Sequence, residues 1–369
     1  VTHTPDPAGA ADRDYMARAL ALAERGLGRT TPNPAVGACV VAAGVVVGHG
    51  ATEPPGQRHA EIVALDAAGD RARGATLYCT LEPCAHTGRT GPCVDRIIAA
   101  GVTRVVAAVE DPDPRVRGRG FERLRAAGVA VDVGVGGPEA RRLNLPFFTV
   151  HQQGRPMVIA KVAMSHDACV AAAPGIRTAL TSAPANQRVQ RTRARVDAVA
   201  VGSGTLLADD PRLDVRDVFR ERPLVRAIFD RRLRTPPSAR IFDTRAAGPV
   251  VILTSAEAVA GQPDAVAALE ARGGTVVAEA EPTLTHLLRR LVAFDVHAVL
   301  LEGGSVLHAE AFREGVVDMV QAYVTPAELG PGGLRVAEAL LQALPRLHEA
   351  RTETVGPDTV IEGYVHGLD

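Results

Sequence analysis

Short apolar, β-prone runs alternate with helically spaced segments along nearly the whole chain, and such alternation is the mark of an α/β fold, with helices packed on a largely parallel sheet. In the first part the runs fall at 36–41 and 45–48, joined through Ala42-Ala43-Gly44 as a hairpin, and then at 75–80, 102–109 and 129–133. Helical spacing covers Tyr15 to Leu22, with Asp12 placed to cap it and Gly26 to end it, then about 59–68, 92–100 and 120–127. The stretch from Gly134 to Pro138 breaks the pattern, and the polar segment from Val150 to Pro156 marks a boundary. A second alternation follows, with strands at 157–163, 198–201, 224–229, 250–253, 275–278 and 297–301 and a closing strand at 359–365. Two α/β domains are expected, residues 1–150 and 151–369, the first a three-layer α/β/α unit; a chain of 369 residues also exceeds one ordinary core.

Composition narrows the partners. With 46% hydrophobic and 22% charged residues and a net charge of −1, the chain lacks both the makeup of a disordered segment and the basic surface of a nucleic-acid or membrane-surface binder. Aromatic residues are 3% and Trp is absent, which leaves few rings for stacking bases and disfavours a nucleic-acid-editing enzyme. A small-molecule substrate is expected, with no nucleic acid and no membrane partner. The first fourteen residues are polar and acidic, and no long apolar run follows, so a cytoplasmic location is expected. Two domains rich in apolar strands are compatible with a homodimer or a higher homo-oligomer. Five cysteines are too few and too unevenly placed for a disulfide framework, so any that cluster point to metal binding or chemistry. Cys39, Cys79 and His166, taken singly, read as packing or surface residues.

The sharpest chemical signal is His59-Ala60-Glu61, followed by Pro83-Cys84 and Pro92-Cys93. One imidazole and two thiolates suit Zn2+, and three protein ligands leave a fourth position for water, as in a catalytic site. Pro92 suits the first turn of a helix, which would put Cys93 where the helix dipole favours a thiolate. Glu61 is near the metal without being needed as a ligand, so it can shuttle a proton from water to a ring nitrogen and then to departing ammonia. Zinc deaminases carry this set as His-x-Glu and Pro-Cys-x-x-Cys, whereas eight residues separate Cys84 from Cys93 here. A purely structural zinc site would want a fourth protein ligand, for which His86 is near enough in sequence, and Fe2+ would also accept this donor set.

The run Thr80-Leu81-Glu82-Pro83-Cys84-Ala85-His86-Thr87-Gly88-Arg89-Thr90-Gly91-Pro92-Cys93, with Thr31-Pro32-Asn33-Pro34-Ala35-Val36-Gly37 and His59-Ala60-Glu61, resembles the pyrimidine deaminase of riboflavin biosynthesis, whose own feature is the long insertion between the cysteines. Asp111-Pro112-Asp113-Pro114, Gly118, Gly120 and Asn144 extend the resemblance across the first domain. It implies a cytidine-deaminase-like domain that deaminates 2,5-diamino-6-(5-phosphoribosylamino)pyrimidin-4(3H)-one, with zinc on His59, Cys84 and Cys93 and Glu61 as the proton shuttle. It further implies that Asn33 helps hold the base and that His86, Arg89 and Thr90 line the substrate side near its phosphate, a fitting partner for a guanidinium, although a solvated loop Arg is the plainer reading of Arg89.

The second domain resembles the family's reductase, which implies a dihydrofolate-reductase-like fold that uses NADPH to reduce the ribosyl group of the deaminated product to ribityl. The matching residues include Lys161-Val162-Ala163-Met164-Ser165, Asp167, the run from Val201 to Leu213, Arg216 and Leu301-Glu302-Gly303-Gly304. The resemblance places Ala163, Thr205, Asp209, Gly303 and Gly304 at the cofactor and Lys161, Arg193, Leu213, Arg216 and Glu302 at the substrate. Read from the residues, Glu302-Gly303-Gly304 follows a strand and opens a helix, where bare backbone N–H groups can take a phosphate, although such a pair is also common as a plain turn. The chain departs from the family at Ser165-His166-Asp167-Ala168-Cys169 (usually Ser-Leu-Asp-Gly-Arg), at Arg177 and Ala179 (usually Ser and Trp), and at Pro326-Ala327-Glu328-Leu329-Gly330 (usually Pro-Lys-Leu-Leu-Gly). Two readings follow: a bifunctional deaminase and reductase, or an active deaminase whose reductase-like domain is inactive or altered in specificity.

Overall fold

A computed structural model describes residues 9–85 and 91–367, which fall into two compact units divided between Gln153 and Gly154. The first unit runs α1 (Ala10–Glu24), β1 (Gly37–Ala42), β2 (Val45–Ala51), α2 (Ala60–Ala68), β3 (Thr76–Cys79), α3 (Cys93–Ala99), β4 (Arg104–Ala107), α4 (Arg119–Ala126), β5 (Ala130–Val133), α5 (Gly137–Leu143) and α6 (Leu145–Gln153). Its sheet has the order β2-β1-β3-β4-β5, antiparallel across β2-β1-β3 and parallel from β3 to β5.

Register shows why this is a three-layer unit. Gly48 and Gly50 pair with Val40 and Ala38, so all four point to one face, while Gly37 points to the other. A Cβ on Gly48 would lie 2.2 Å from the Ala64 carbonyl oxygen of α2, and one on Gly37 would lie 1.9 Å from the Ala19 carbonyl oxygen of α1. The two helices therefore cover opposite faces of β1 and β2, and β1, buried on both sides, reads as an uninterrupted apolar run. The core between the layers includes Met16, Val40, Leu77, Ile97, Val105 and Leu124. Cys39 and Cys79 pack within it, and burial pushes both thiols up.

Two local expectations change. Asp12 does not cap α1. The helix starts after Gly9, and Asp12 sits inside it, buried, where it accepts hydrogen bonds from the Tyr78 hydroxyl (2.6 Å) and Arg104 (2.8 and 3.0 Å). A carboxylate with a guanidinium and a phenol within reach gains more from them than from the helix end. The glycine-rich stretch from Gly134 to Pro138 is not a plain break but the entry to α5, because Gly136 supplies a left-handed residue before the helix and Pro138 stands in its first turn. The helix α6 continues through Val150 to Gln153, and the division between the units falls at its end, inside the polar segment from Val150 to Pro156.

The second unit runs β6 (Met157–Ser165), β7 (Cys169–Ala171), α7 (Ala183–Arg195), β8 (Ala198–Gly202), α8 (Ser203–Asp209), β9 (Val225–Phe229), β10 (Val250–Ser255), α9 (Ala256–Gly261), α10 (Pro263–Ala271), β11 (Gly274–Glu279), α11 (Leu284–Leu291), β12 (Ala298–Leu301), α12 (Ser305–Arg313), β13 (Met319–Thr325), β14 (Leu334–Arg335), α13 (Glu338–Ala343), β15 (His348–Val355) and β16 (Asp358–Tyr364). Nine strands form one sheet in the order β11-β10-β9-β8-β12-β6-β13-β16-β15, parallel except at β13-β16-β15, and β7 and β14 make a separate pair. The strands β9 and β12 are buried along their whole length, as a sheet covered on both faces requires. Two strands of the main sheet lie outside the apolar pattern. The edge strand β15 is almost entirely exposed and reads His-Glu-Ala-Arg-Thr-Glu-Thr-Val, and β13 carries Gln321 in its middle. Among the described residues, no helix is long and apolar enough to cross a membrane.

The tight approach of α1 to β1 generates a stability prediction. Gly37→Ala is expected to cost about 1–3 kcal/mol through overpacking, read as a lower urea midpoint for the first unit. An unchanged midpoint would mean that the helix is free to retreat from the strand.

Candidate functional site

In the first unit the candidate site lies where α2 and α3 begin, beside the end of β3. His59 is the residue before α2, with extended backbone, and Glu61 follows in the first turn. Pro92 proves to be the capping residue of α3 rather than part of its first turn, which makes Cys93 the first helical residue. Cys84 follows β3 on an irregular segment, and its carbonyl accepts the Val94 N–H at 3.2 Å, which ties that segment to the start of α3.

These constraints bring one donor atom each from His59, Cys84 and Cys93 within 4.8 Å of one another. His59 Nδ1 lies 3.3 Å from Cys93 Sγ and 3.7 Å from Cys84 Sγ, and the Cys93 N–H points at Cys84 Sγ at 3.4 Å. Bonds of about 2.0–2.3 Å to a tetrahedral zinc put neighbouring ligands roughly 3.5 Å apart, so spacing and donor chemistry both fit this ion. Hydrogen bonding from Cys93, and then from His59, favours the Cys84 thiolate against the cost of burial. Glu61 is 4% exposed, and burial pushes its carboxyl up to about 7, with the charge of His59 opposing the rise.

Asn33 is half-buried in the turn before β1, where its N–H donates to the Thr30 carbonyl at 2.8 Å, and among the described residues it has no hydrogen bond to the metal donors or Glu61. His86, Arg89 and Thr90 lie outside the described residues. Two residues that the sequence left without a task have clear ones. Asn144 clasps the backbone of Ala35, accepting its N–H at 2.8 Å and donating to its carbonyl at 2.9 Å, which fixes the segment carrying Asn33. Glu82 is buried among backbone amides next to Cys84.

The second unit holds a cleft of about 950 Å³ that reaches the carboxyl ends of β8, β9 and β12, the usual ligand position in an open parallel sheet. Lys161, Ala163, Arg193, Thr205, Asp209, Leu213, Arg216, Glu302, Gly303 and Gly304, all ten residues expected there, line it. Glu302 and Arg193 form a two-pronged ion pair at 2.7 and 2.8 Å with side chains 12% and 10% exposed. Burial works against the Glu302 carboxylate, but Arg193, with help from Lys161, holds it down at about 2. Burial also lowers Lys161, whose ammonium lies 5.5 Å from the centre of the Tyr323 ring. Sequence reasoning overlooked Arg231, Arg232 and Arg234 in the cleft wall. Their signal was the basic run after the apolar strand β9, which resembles an ordinary solvated turn.

Residues 10–109 match the family model of the cytidine and deoxycytidylate deaminase zinc-binding region, and residues 156–361 match the RibD C-terminal domain. The riboflavin biosynthesis protein RibD of Aquifex aeolicus is 39% identical over 356 residues, which covers 95% of this chain and 97% of that protein. The Escherichia coli RibD is 36% identical, covering 95% and 98%. The chain belongs to the RibD family. Among solved structures, Acinetobacter baumannii RibD superposes with a TM-score of 0.84 at 34% identity, covering 96% of this chain and 98% of that one. A Thermotoga maritima protein described as a diaminohydroxyphosphoribosylaminopyrimidine deaminase/5-amino-6-(5-phosphoribosylamino)uracil reductase gives 0.82 at 32% identity with the same coverage.

As a RibD protein, the chain joins a cytidine-deaminase-like domain to a dihydrofolate-reductase-like one, is a deaminase and reductase of riboflavin biosynthesis, and carries its zinc site on His59, Cys84 and Cys93. Metal analysis of the purified protein is expected to find about one zinc per chain, with most of it lost in Cys84→Ser and in Cys93→Ser. Full occupancy in both variants would overturn the ligand assignment.

Proposed function

We propose that residues 1–150 deaminate 2,5-diamino-6-(5-phosphoribosylamino)pyrimidin-4(3H)-one and that residues 151–369 then reduce the ribosyl group of the product to ribityl with NADPH. The observation that carries the first step is the convergence of His59, Cys84 and Cys93 with a buried Glu61 beside them. His59, Cys84 and Cys93 would hold a zinc ion, which when bound would supply an acidified water as nucleophile. Glu61, raised toward neutrality by burial, can take up a proton and return it, first to the ring nitrogen and then to the departing amine. Asn33, held in place through the clasp of Asn144 on Ala35, is suited to orient the base. His86, Arg89 and Thr90 complete the substrate side, and Arg89 would meet its phosphate.

For the second step, the cleft supports the reading through the ten residues gathered in its wall. Its volume suits a cofactor and a substrate portion together. NADPH, when bound, would supply the hydride. Ala163, Thr205, Asp209, Gly303 and Gly304 would hold the cofactor, with backbone N–H groups at the start of α12 available to its phosphates. Lys161, Arg193, Leu213, Arg216 and Glu302 would hold the phosphoribosyl end. Arg177 lines the cleft, whereas Ala179 is exposed and outside its lining.

Two outcomes are expected. Glu61→Gln should keep its zinc and its fold but lose deaminase turnover by at least about a hundredfold, because an amide cannot carry the proton; steady-state assay beside metal analysis decides it, and an active variant would sink the mechanism. In the second unit, NADPH should bind by fluorescence titration and support turnover of the deaminated product. Glu302→Gln should lower that kcat/KM by at least about tenfold, since Arg193 and Lys161 lose the charge that balances them, while deamination by the same chain stays unchanged. Equal reductase efficiency in the variant would remove Glu302 from the site.

A further inference from the structure

We propose that Glu82 is a positioning residue for deamination: its carboxylate clamps residues 110–121, the segment beyond β4, against the strand end that carries Cys84, and so fixes a wall of the pocket beside the metal ligands. The inference rests on the deaminase reading of the first unit.

Glu82 stands two residues before Cys84 and is 3% exposed. Its two oxygens are each held by two backbone N–H groups. Oε2 accepts from Gly118 at 2.9 Å and Asp111 at 3.2 Å, and Oε1 accepts from Gly120 at 2.9 Å and Phe121 at 3.4 Å. The Glu82 N–H itself donates to the Val109 carbonyl at 3.0 Å. Among the described residues its polar partners are all backbone amides; burial pushes the carboxyl up, and the four N–H groups, in the place of a cation, work against that rise.

The clamp acts at the catalytic end of the sheet. β3 and β4 are parallel neighbours with Cys79 opposite Ala107, so the segments that follow them leave the same edge side by side. At Gly120 the two segments touch, since a Cβ there would lie 2.1 Å from the Pro83 carbonyl oxygen and 3.0 Å from Glu82 Oε1. From Glu82 the order passes along the chain. Asp111, whose N–H is held by the clamp, accepts the Asp113 N–H at 2.8 Å, and Asp113 accepts the Arg115 N–H at 2.9 Å. Asp111 and Asp113 are both buried, each 6% exposed, so the order set at the clamp extends into packed side chains. A segment held this way presents the same face to a substrate at every turnover.

The symmetry of the clamp gives the test. An amide in place of the carboxylate has one oxygen, so its NH2 group would face two N–H donors at either the Asp111 and Gly118 end or the Gly120 and Phe121 end, and that end must move. Glu82→Gln is expected to keep its zinc content and, in the same chain, its reductase turnover with NADPH and the deaminated product. Its KM for the aminopyrimidine should rise on the order of tenfold, as for the loss of about one charge-assisted contact, with kcat changed by much less. Glu82→Asp, which keeps both oxygens, should recover part of the loss. Gly118→Ala, which strains a residue at φ +75° whose N–H is one of the four held by Glu82 but leaves the Glu82 side chain itself unaltered, should raise KM in the same direction. An unchanged KM in Glu82→Gln would overturn the inference, and so would loss of zinc from that variant combined with an unchanged KM in Gly118→Ala. Failure of the unaltered protein to deaminate the aminopyrimidine would instead overturn the function on which the inference rests.

Discussion

Three soft donors from separate parts of a chain can meet within 4.8 Å only if the backbone that carries them is fixed by something other than the metal. In the first unit that constraint is β3, buried and hydrogen-bonded on both sides, antiparallel to β1 and parallel to β4. Its end delivers Cys84 to the place where α2 and α3 begin, and each helix starts next to a ligand, His59 before α2 and Cys93 as the first residue of α3. The close contact of α2 with Gly48 sets how deeply that helix sits on the sheet, and hence where His59 and Glu61 lie. Sheet packing thus comes first and the ligand set follows from it, which is how a site of three ligands keeps its shape while leaving a position open for chemistry.

That order of causes also explains what the sequence disclosed. Strands buried on both faces, such as β1, β9 and β12, are continuous apolar runs and could be placed within a residue or two. The metal donors could be named because ligand type and the His-Ala-Glu element travel together. Two strands of the second sheet, β13 and β15, were not legible, although the edge strands β2, β5 and β11 were. β15 faces solvent along almost all its length and so carries no apolar signal, while β13 has a polar Gln321 in its centre. Asp12 looked like a helix cap because short acidic side chains favour that position, and only the fold brings Tyr78 and Arg104, far away in sequence, to its carboxylate. Asn144 and Glu82 share that obscurity: each works by binding backbone atoms of a distant segment, and backbone partners leave no trace in residue identity.

The second unit solves a different electrostatic problem. Its cleft collects Lys161, Arg193, Arg216 and the basic run after β9, and the pairing of Arg193 with Glu302 neutralises the most buried of these cations. The same pair fixes the Arg193 guanidinium, since a two-pronged contact allows little rotation. Arg193 also donates to the Asp214 carbonyl at 2.8 Å, so one side chain joins α7, the end of β12 and the loop containing Leu213 and Arg216. Residues that the family resemblance assigns to the substrate are in this way mechanically connected, even though they come from three parts of the chain.

The departures from the family pattern fit within this arrangement. Arg177 stands in the cleft wall, and the cleft still measures about 950 Å³, near the upper end of the range for small-molecule and cofactor sites, so the larger side chain has not closed it. Burial raises Asp209, and the positive charge of Arg177 works in the opposite direction, favouring a carboxylate at a position the resemblance gives to the cofactor. Ala179, exposed beyond the lining, supplies no apolar wall where a Trp would. At the turn after β6 the anchoring is retained by other means: Asp167 accepts from Ser165, from the Leu329 N–H at 3.1 Å and from the Gly330 N–H at 2.8 Å, and its carbonyl accepts from Arg335. The loss of Gly and Arg at Ala168 and Cys169 therefore leaves the loop beside the cleft pinned, because the side chain that pins it, Asp167, is the one the sequence kept.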